Sequence, residues 1–217
     1  PVMAREKANF VGQILAACVG PSRAEAEDLA ERVFFDFDEL PALTNAISAM
    51  ASDAPSIHPE LTGNIFHQLE SGQDFEAVRA SAPVRLTRTY KLARQAIVPM
   101  EGRGVVALWD ERANQLVVHS STQSPHLIRT GLAEFLKLDQ NRIRVVAPDV
   151  GGGFGYKAIL HPEELILGYL AMKLKRPVRW LEDRREHLTA GANSREHIYN
   201  MTVYGDEQGQ LLGLDAE

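Results

Sequence analysis

The 217 residues carry a net charge of −6 and are 45% apolar, so the chain can bury a core and, lacking any basic cluster, argues against a nucleic-acid partner. The single cysteine, Cys18, excludes an internal disulfide and a cysteine zinc pattern and fits a reducing, cytoplasmic compartment. No stretch reaches the ~18 apolar residues of a membrane helix, and no secretory leader is visible.

In chain order, GQILAACVG at 12–20 reads as a buried strand, with Cys18 as apolar filler. Ser22 and Glu25 form a capping-box pattern before Ala26, Leu29 and Val33, which recur at helical spacing. VFFDFDEL at 33–40 reads as a second strand closed by Pro41, which completes a strand-helix-strand unit. Residues 41–50 predict a short helix. The polar stretch 51–64, with two prolines and a glycine, reads as a linker between domains.

Beyond the linker, PVRLTRTYKL alternates, and Val84, Leu86, Tyr90 and Leu92 predict a strand with one buried face, interrupted by Arg88. Two strands follow around a turn at 110–114. Ser124 and Pro125 suit the cap and first position of a helix whose stripe is Ile128, Leu132, Phe135 and Leu136. RIRVVAP predicts a strand, and Pro162 opens a helix that is apolar nearly all round. RPVRWLED predicts a further strand, and a hairpin with a glycine-rich turn follows to the end. The chain opens at Pro1 in mid-pattern and stops in the strand-like LLGLDAE, so it reads as part of a longer protein.

The stretch APDVGGGFGYK, residues 147–157, invites a test against phosphate chemistry. A dinucleotide fingerprint started at Gly151 would need glycine where Tyr156 stands, and a P-loop would need a hydroxyl where Ala158 stands. The next helix opens with Pro162, Glu163 and Glu164, which oppose an anion at that terminus. What remains is a backbone free to approach a bulky group closely, with Phe154 as a wedge at its mouth. A tight turn that only packs a strand against a helix fits the same residues. Gln123, at a strand-to-helix junction, presents an amide where α/β folds bind ligands, or is an ordinary turn residue.

Other groups carry less. The two REH triplets at 185–187 and 195–197 lack the spacing of a zinc helix and read as surface charge. His126 lines the Gln123 crevice or the surface. Asp149 is expected to bond backbone amides of the turn. Glu101 is expected to be structural, paired with Arg103.

Five ordered segments, VGQILAACVGPSRAEAEDLAERV, VPMEGRGVVA, SSTQSPHLIR, VVAPDVGGGFGYK and RPVRWLEDRREHL, give the sequence a resemblance to the molybdenum hydroxylases. That family includes xanthine dehydrogenase, aldehyde oxidase and the large subunit of aerobic carbon monoxide dehydrogenase. The resemblance implies an α/β (α+β) chain: residues 1–50 as the end of a hammerhead-type domain, 51–64 as linker, and 65–217 as an incomplete first molybdopterin-binding domain. It implies that Gln123 and Gly152, Gly153, Phe154 and Gly155 line a molybdenum-molybdopterin cofactor of the cytosine dinucleotide type, with backbone amides near the metal's oxygen ligands and no residue of this chain ligating the metal.

The family reaction hydroxylates a carbon centre with oxygen from water, and carbon monoxide dehydrogenase is a copper-containing variant. The resemblance places the glutamate base beyond residue 217, and FAD and [2Fe-2S] clusters on partner subunits or domains. The implied partners are therefore the remainder of the molybdopterin subunit, FAD-binding and iron-sulfur subunits, and a small-molecule substrate. Ala158 stands where xanthine-type enzymes carry a glutamate, Tyr156 stands where glycine is common, and Arg195 is one position away from a substrate arginine. These departures favour an aldehyde-oxidase-like or carbon-monoxide-dehydrogenase-like member over a purine enzyme, within a family reaction that hydroxylates aldehydes or heterocycles or oxidises CO. The chain alone is expected to be inactive. The alternative is a non-catalytic α/β binding or assembly module that keeps only the scaffold.

Overall fold

The computed structural model describes residues 2–217. The helices and strands are, in chain order, α1 (Arg23–Glu31), α2 (Ala46–Ala49), α3 (Glu76–Ser81), β1 (Val84–Ala96), β2 (Gly104–Asp110), β3 (Gln115–Ser120), α4 (Pro125–Leu136), β4 (Ile143–Val146), α5 (Pro162–Leu174), β5 (Val178–Leu181), α6 (Arg184–Ala190), β6 (Asn193–Gly205) and β7 (Leu211–Ala216). They divide into two compact units. The first runs up to Leu40 and resumes over Ala96–Ala192; the second is Pro41–Gln95 with Asn193–Glu217.

The first unit is built on a four-stranded sheet of order β4-β3-β2-β5. β2 and β3 form an antiparallel hairpin in which Val105 faces Ser120 and Asp110 faces Gln115. Asp110 closes the turn by accepting the amides of Arg112 and Ala113. β5 pairs antiparallel with β2, and β4 pairs parallel with β3. The parallel pairing requires a crossover, which α4 supplies.

Alternation in β2 and β3 sends Val105, Ala107, Leu116 and Val118 to one face, where Ile128 and Leu132 of α4 and Leu165, Leu167 and Ala171 of α5 cover them. Gly168 lets α5 come close: a Cβ there would stand 3.2–3.3 Å from Leu136, Leu116 and Leu132. Glu164 reaches back from the first turn of α5 to accept the His161 amide at 2.7 Å, half of a capping box.

The second unit contains a three-stranded sheet of order β1-β6-β7. β6 and β7 are an antiparallel hairpin, and Asp206 organises its turn by accepting the amides of Gln208 and Gln210.

Several expectations are corrected. Residues 12–20 and 33–40 lack ladder pairing and are not strands, so α1 stands without the expected flanking strands. Their apolar residues signal a preference for burial, but a strand exists only where a neighbour satisfies its backbone. Phe34, Phe35, Phe37 and Leu40 are exposed, and Cys18 is half-buried rather than core. β1 forms as predicted, but both of its faces are exposed. In α4, Phe135 leaves the apolar stripe and is exposed, and Ser124 caps without a side-chain bond. The Ser124 amide is met instead by Thr122 Oγ1 at 3.0 Å. α5 buries one side well, but Tyr169 and Leu174 are exposed. The expected helix at 41–50 is the single turn α2, and α1 is capped by Ser22 onto the Glu25 amide.

Candidate functional site

Parallel strands end on the same edge of a sheet. β3 runs into Gln123 and β4 into the glycine loop, so their parallel pairing sets residues from distant parts of the sequence side by side. The loop is shaped by left-handed backbone at Gly152 (φ 89°), Phe154 (φ 53°) and Gly155 (φ 90°). For a non-glycine residue such as Phe154 this conformation costs about 1–2 kcal/mol. The residue is 76% exposed.

Gly153 answers a different need. A Cβ on it would lie 2.3 Å from Gln123 Oε1 and 2.4 Å from its Cδ. The Gln123 side chain therefore occupies the space that a larger residue would need, and its carbonyl accepts the Gly155 amide at 3.1 Å. The Gln123 backbone amide donates to the Lys157 carbonyl at 2.8 Å, and Thr122 Oγ1 donates to the same oxygen at 3.1 Å. The remaining loop amides differ in their partners. Gly151 donates to Glu101 at 2.8 Å and Gly152 to the Val150 carbonyl at 3.0 Å. The amides of Gly153 and Phe154 make no hydrogen bond among the described residues. The structure thus brings Gln123 together with Gly152, Gly153, Phe154 and Gly155. It leaves His126, on an exposed turn of α4, outside that contact.

Beneath the loop lies a buried polar cluster that sequence reading missed. Arg103, 6% exposed, gives a forked pair to Glu163 at 2.7 and 3.0 Å, and its Nε meets Glu182 and Tyr156 Oη at 2.9 Å each. Tyr156 donates to Glu182 at 2.5 Å. His187 sits between Glu182 Oε2 at 3.0 Å and the Ile97 carbonyl at 2.7 Å. Burial alone would raise the Glu182 pKa, but the hydrogen bonds from Tyr156 and the Arg103 amide, with the Arg103 charge, hold it down at about 2. Desolvation pushes Glu164 the other way, to about 7, despite bonds from the His161 amide and Ser120.

Three expectations about these groups change. Glu101 pairs with Lys157 at 2.6 Å, not with Arg103. The Lys157 hydrogen bond holds the Glu101 carboxyl below its usual range. The Gly151 amide is met by Glu101 rather than by Asp149. His187 is 4% exposed and lies on α6, not on a charged surface. The signal for α6 was present in the sequence: Asp183 and Glu186 form a capping box, a D-x-x-E spacing. The second triplet behaves as expected, with His197 exposed on β6. Among the described residues no three His, Cys, Asp or Glu gather to hold a metal ion, and no helix is long and apolar enough to cross a membrane.

The chain has a mixed α/β fold with a glycine loop at the ends of parallel strands, and residues 57–217 match the family model of the molybdopterin cofactor-binding domain. The chain is 32% identical over 99% of its length to the nicotine 6-hydroxylase large subunit of Paenarthrobacter nicotinovorans. It is 31% identical over 98% to the carbon monoxide dehydrogenase large chain of Hydrogenophaga pseudoflava. The crystal structure of quinoline 2-oxidoreductase from Pseudomonas putida 86 superposes over 100% of the chain with a TM-score of 0.90 at 35% identity. The chain belongs to the molybdenum hydroxylase family, as a piece of its molybdopterin-binding part. It spans about a quarter of those relatives: 26% and 28% of the two curated proteins and 28% of the solved chain.

Proposed function

We propose that this chain forms one wall of a molybdenum-molybdopterin site, in an oxidoreductase that hydroxylates aldehydes or heterocycles, or oxidises CO, with oxygen derived from water. The observation that carries this reading is the joint between Gln123 and the glycine loop, beside which the amides of Gly153 and Phe154 have no partner among the described residues. These donors fit a group rich in oxygen acceptors. Gln123 would present its amide NH2 to that group while its carbonyl stays on Gly155. Gly152 and Gly155 would turn the backbone, and Phe154 would cover one side. When bound, the cofactor would supply the two-electron redox chemistry; these residues hold and orient it and keep donors fixed where charge changes.

The finer assignments follow the same reading. Residues 1–50 belong to the hammerhead-type domain, 51–64 to the linker and 65–217 to the first molybdopterin-binding domain. The cofactor is the cytosine dinucleotide form. The remainder of the subunit supplies the glutamate base, and FAD and [2Fe-2S] clusters reside on partner subunits or domains. The enzyme is cytoplasmic, and Ala158 favours a substrate other than a purine.

The test is molybdenum and pterin content of the protein, purified with the rest of its subunit, for the parent, Gln123→Ala and Gly153→Val. Near-stoichiometric cofactor in the parent and loss in both variants supports the reading. Full cofactor in both variants removes these residues from the site. No cofactor in any preparation identifies a scaffold without redox function.

A further inference from the structure

Glu101 Oε2 accepts two donors at once: the Gly151 amide at 2.8 Å and Lys157 Nζ at 2.6 Å. Gly151 opens the glycine loop and Lys157 follows it, so one carboxylate joins both of its ends. A backbone bond from the Glu101 amide to the Gly151 carbonyl, at 3.4 Å, lies alongside. Glu101 also fills the space over Gly151, where a Cβ would come within 2.8 Å of the Glu101 Cβ.

The Lys157 side chain is 0% exposed, and Glu101 is the carboxylate paired with it. Its carbonyl, on the other side of the residue, accepts both the Gln123 amide and Thr122 Oγ1. Lys157 therefore touches the start of the loop through its side chain and the Gln123 junction through its backbone. The segment that carries Glu101 is held in turn, because Arg184 of α6 donates to the carbonyls of Pro99 and Met100 at 2.9 Å each.

We propose that Glu101 and Lys157 are positioning residues: their ion pair straps the glycine loop shut and fixes its register against Gln123. The inference rests on the reading that the loop and Gln123 line the cofactor, since only then does their register matter for function. The strap itself is a property of the polypeptide and can be measured without cofactor. A buried ammonium is expensive unless it is paired, and a buried charge under a loop that already contains three left-handed residues calls for a role beyond packing.

The experiment follows amide hydrogen exchange across residues 151–157 in the full chain. Glu101→Ala should speed exchange at Gly151 and Gly155 by roughly tenfold or more, with the β2–β3 amides unchanged, and should lower the thermal midpoint. Adding Lys157→Met removes the unpaired ammonium, so the midpoint should recover while the loop continues to exchange fast. Parent-like loop exchange in Glu101→Ala overturns the proposal. So does recovery of loop protection together with the midpoint in the double variant, which would reduce the pair to a stability element. Cofactor content in Gln123→Ala separately decides the underlying reading: if it is unchanged there, the site assignment fails whatever the exchange data show.

Discussion

The side-chain carbonyl of Gln123 bonds the Gly155 amide from the space that Gly153 leaves by having no side chain. Gly153 is not in the left-handed region, so its requirement is steric rather than conformational. That separates it from Gly152 and Gly155, whose positive φ angles are what a side chain would strain.

Gly153→Ala should therefore push Gln123 out of place. Overpacking of this kind costs about 1–3 kcal/mol. The Gly155 amide should lose its acceptor, which NMR would register as a changed shift and faster exchange at Gly155. An unperturbed Gly155 resonance would show that Gln123 can stay where it is.

Arg103→Met tests the buried cluster. The change leaves Glu182 and Glu163, 1% and 14% exposed at their side chains, without their shared cation. Removing one partner of such a network costs about 3–5 kcal/mol. Chemical denaturation should show the loss as a lower midpoint at unchanged slope.

Glu164 makes stability depend on pH near neutrality. Its folded pKa is raised from 4.5 to about 7, so between those values the native state keeps a proton that the unfolded state releases. Stability from this group therefore falls as pH rises from 4.5 to about 7, by about 3 kcal/mol at most. His161, held below its ordinary value by burial and by Arg103, contributes with the opposite sign below pH 6.5. The measurement is accordingly a difference: the stability of Glu164→Gln relative to the parent should increase across that window. A flat difference would mean that Glu164 ionises normally.

Glu182 acts at lower pH. Its folded pKa is depressed from 4.5 to about 2, so its contribution is present above 4.5 and is lost as pH falls toward 2. Tyr156→Phe removes a donor to Glu182 and should cost about 1–2 kcal/mol at neutral pH. It should also make the loss of stability between pH 4.5 and 2 shallower. Acid titration of the unfolding midpoint in parent and variant would detect both effects, and an unchanged acid limb would assign the depression to Arg103 and His187.

What was legible in the sequence was local. The β2–β3 hairpin, the Pro125 and Pro162 starts of α4 and α5, the short strands β4 and β5, and the β6–β7 hairpin follow from alternation, turn residues and caps that lie within a few positions of the element they specify. Residue type also marked Gln123 and the glycine loop as candidates and excluded both phosphate templates. Tertiary structure decided everything that needs a distant partner. Residues 12–20 and 33–40 have strand-like composition but no neighbouring ladder. Arg103 finds Glu163 and Glu182, and Lys157 finds Glu101, across 60, 79 and 56 positions, which no local pattern encodes. The meeting of Gln123 with Gly153 and Gly155 depends on β4 lying parallel to β3: the sequence supplies both segments, and only the sheet makes them adjacent.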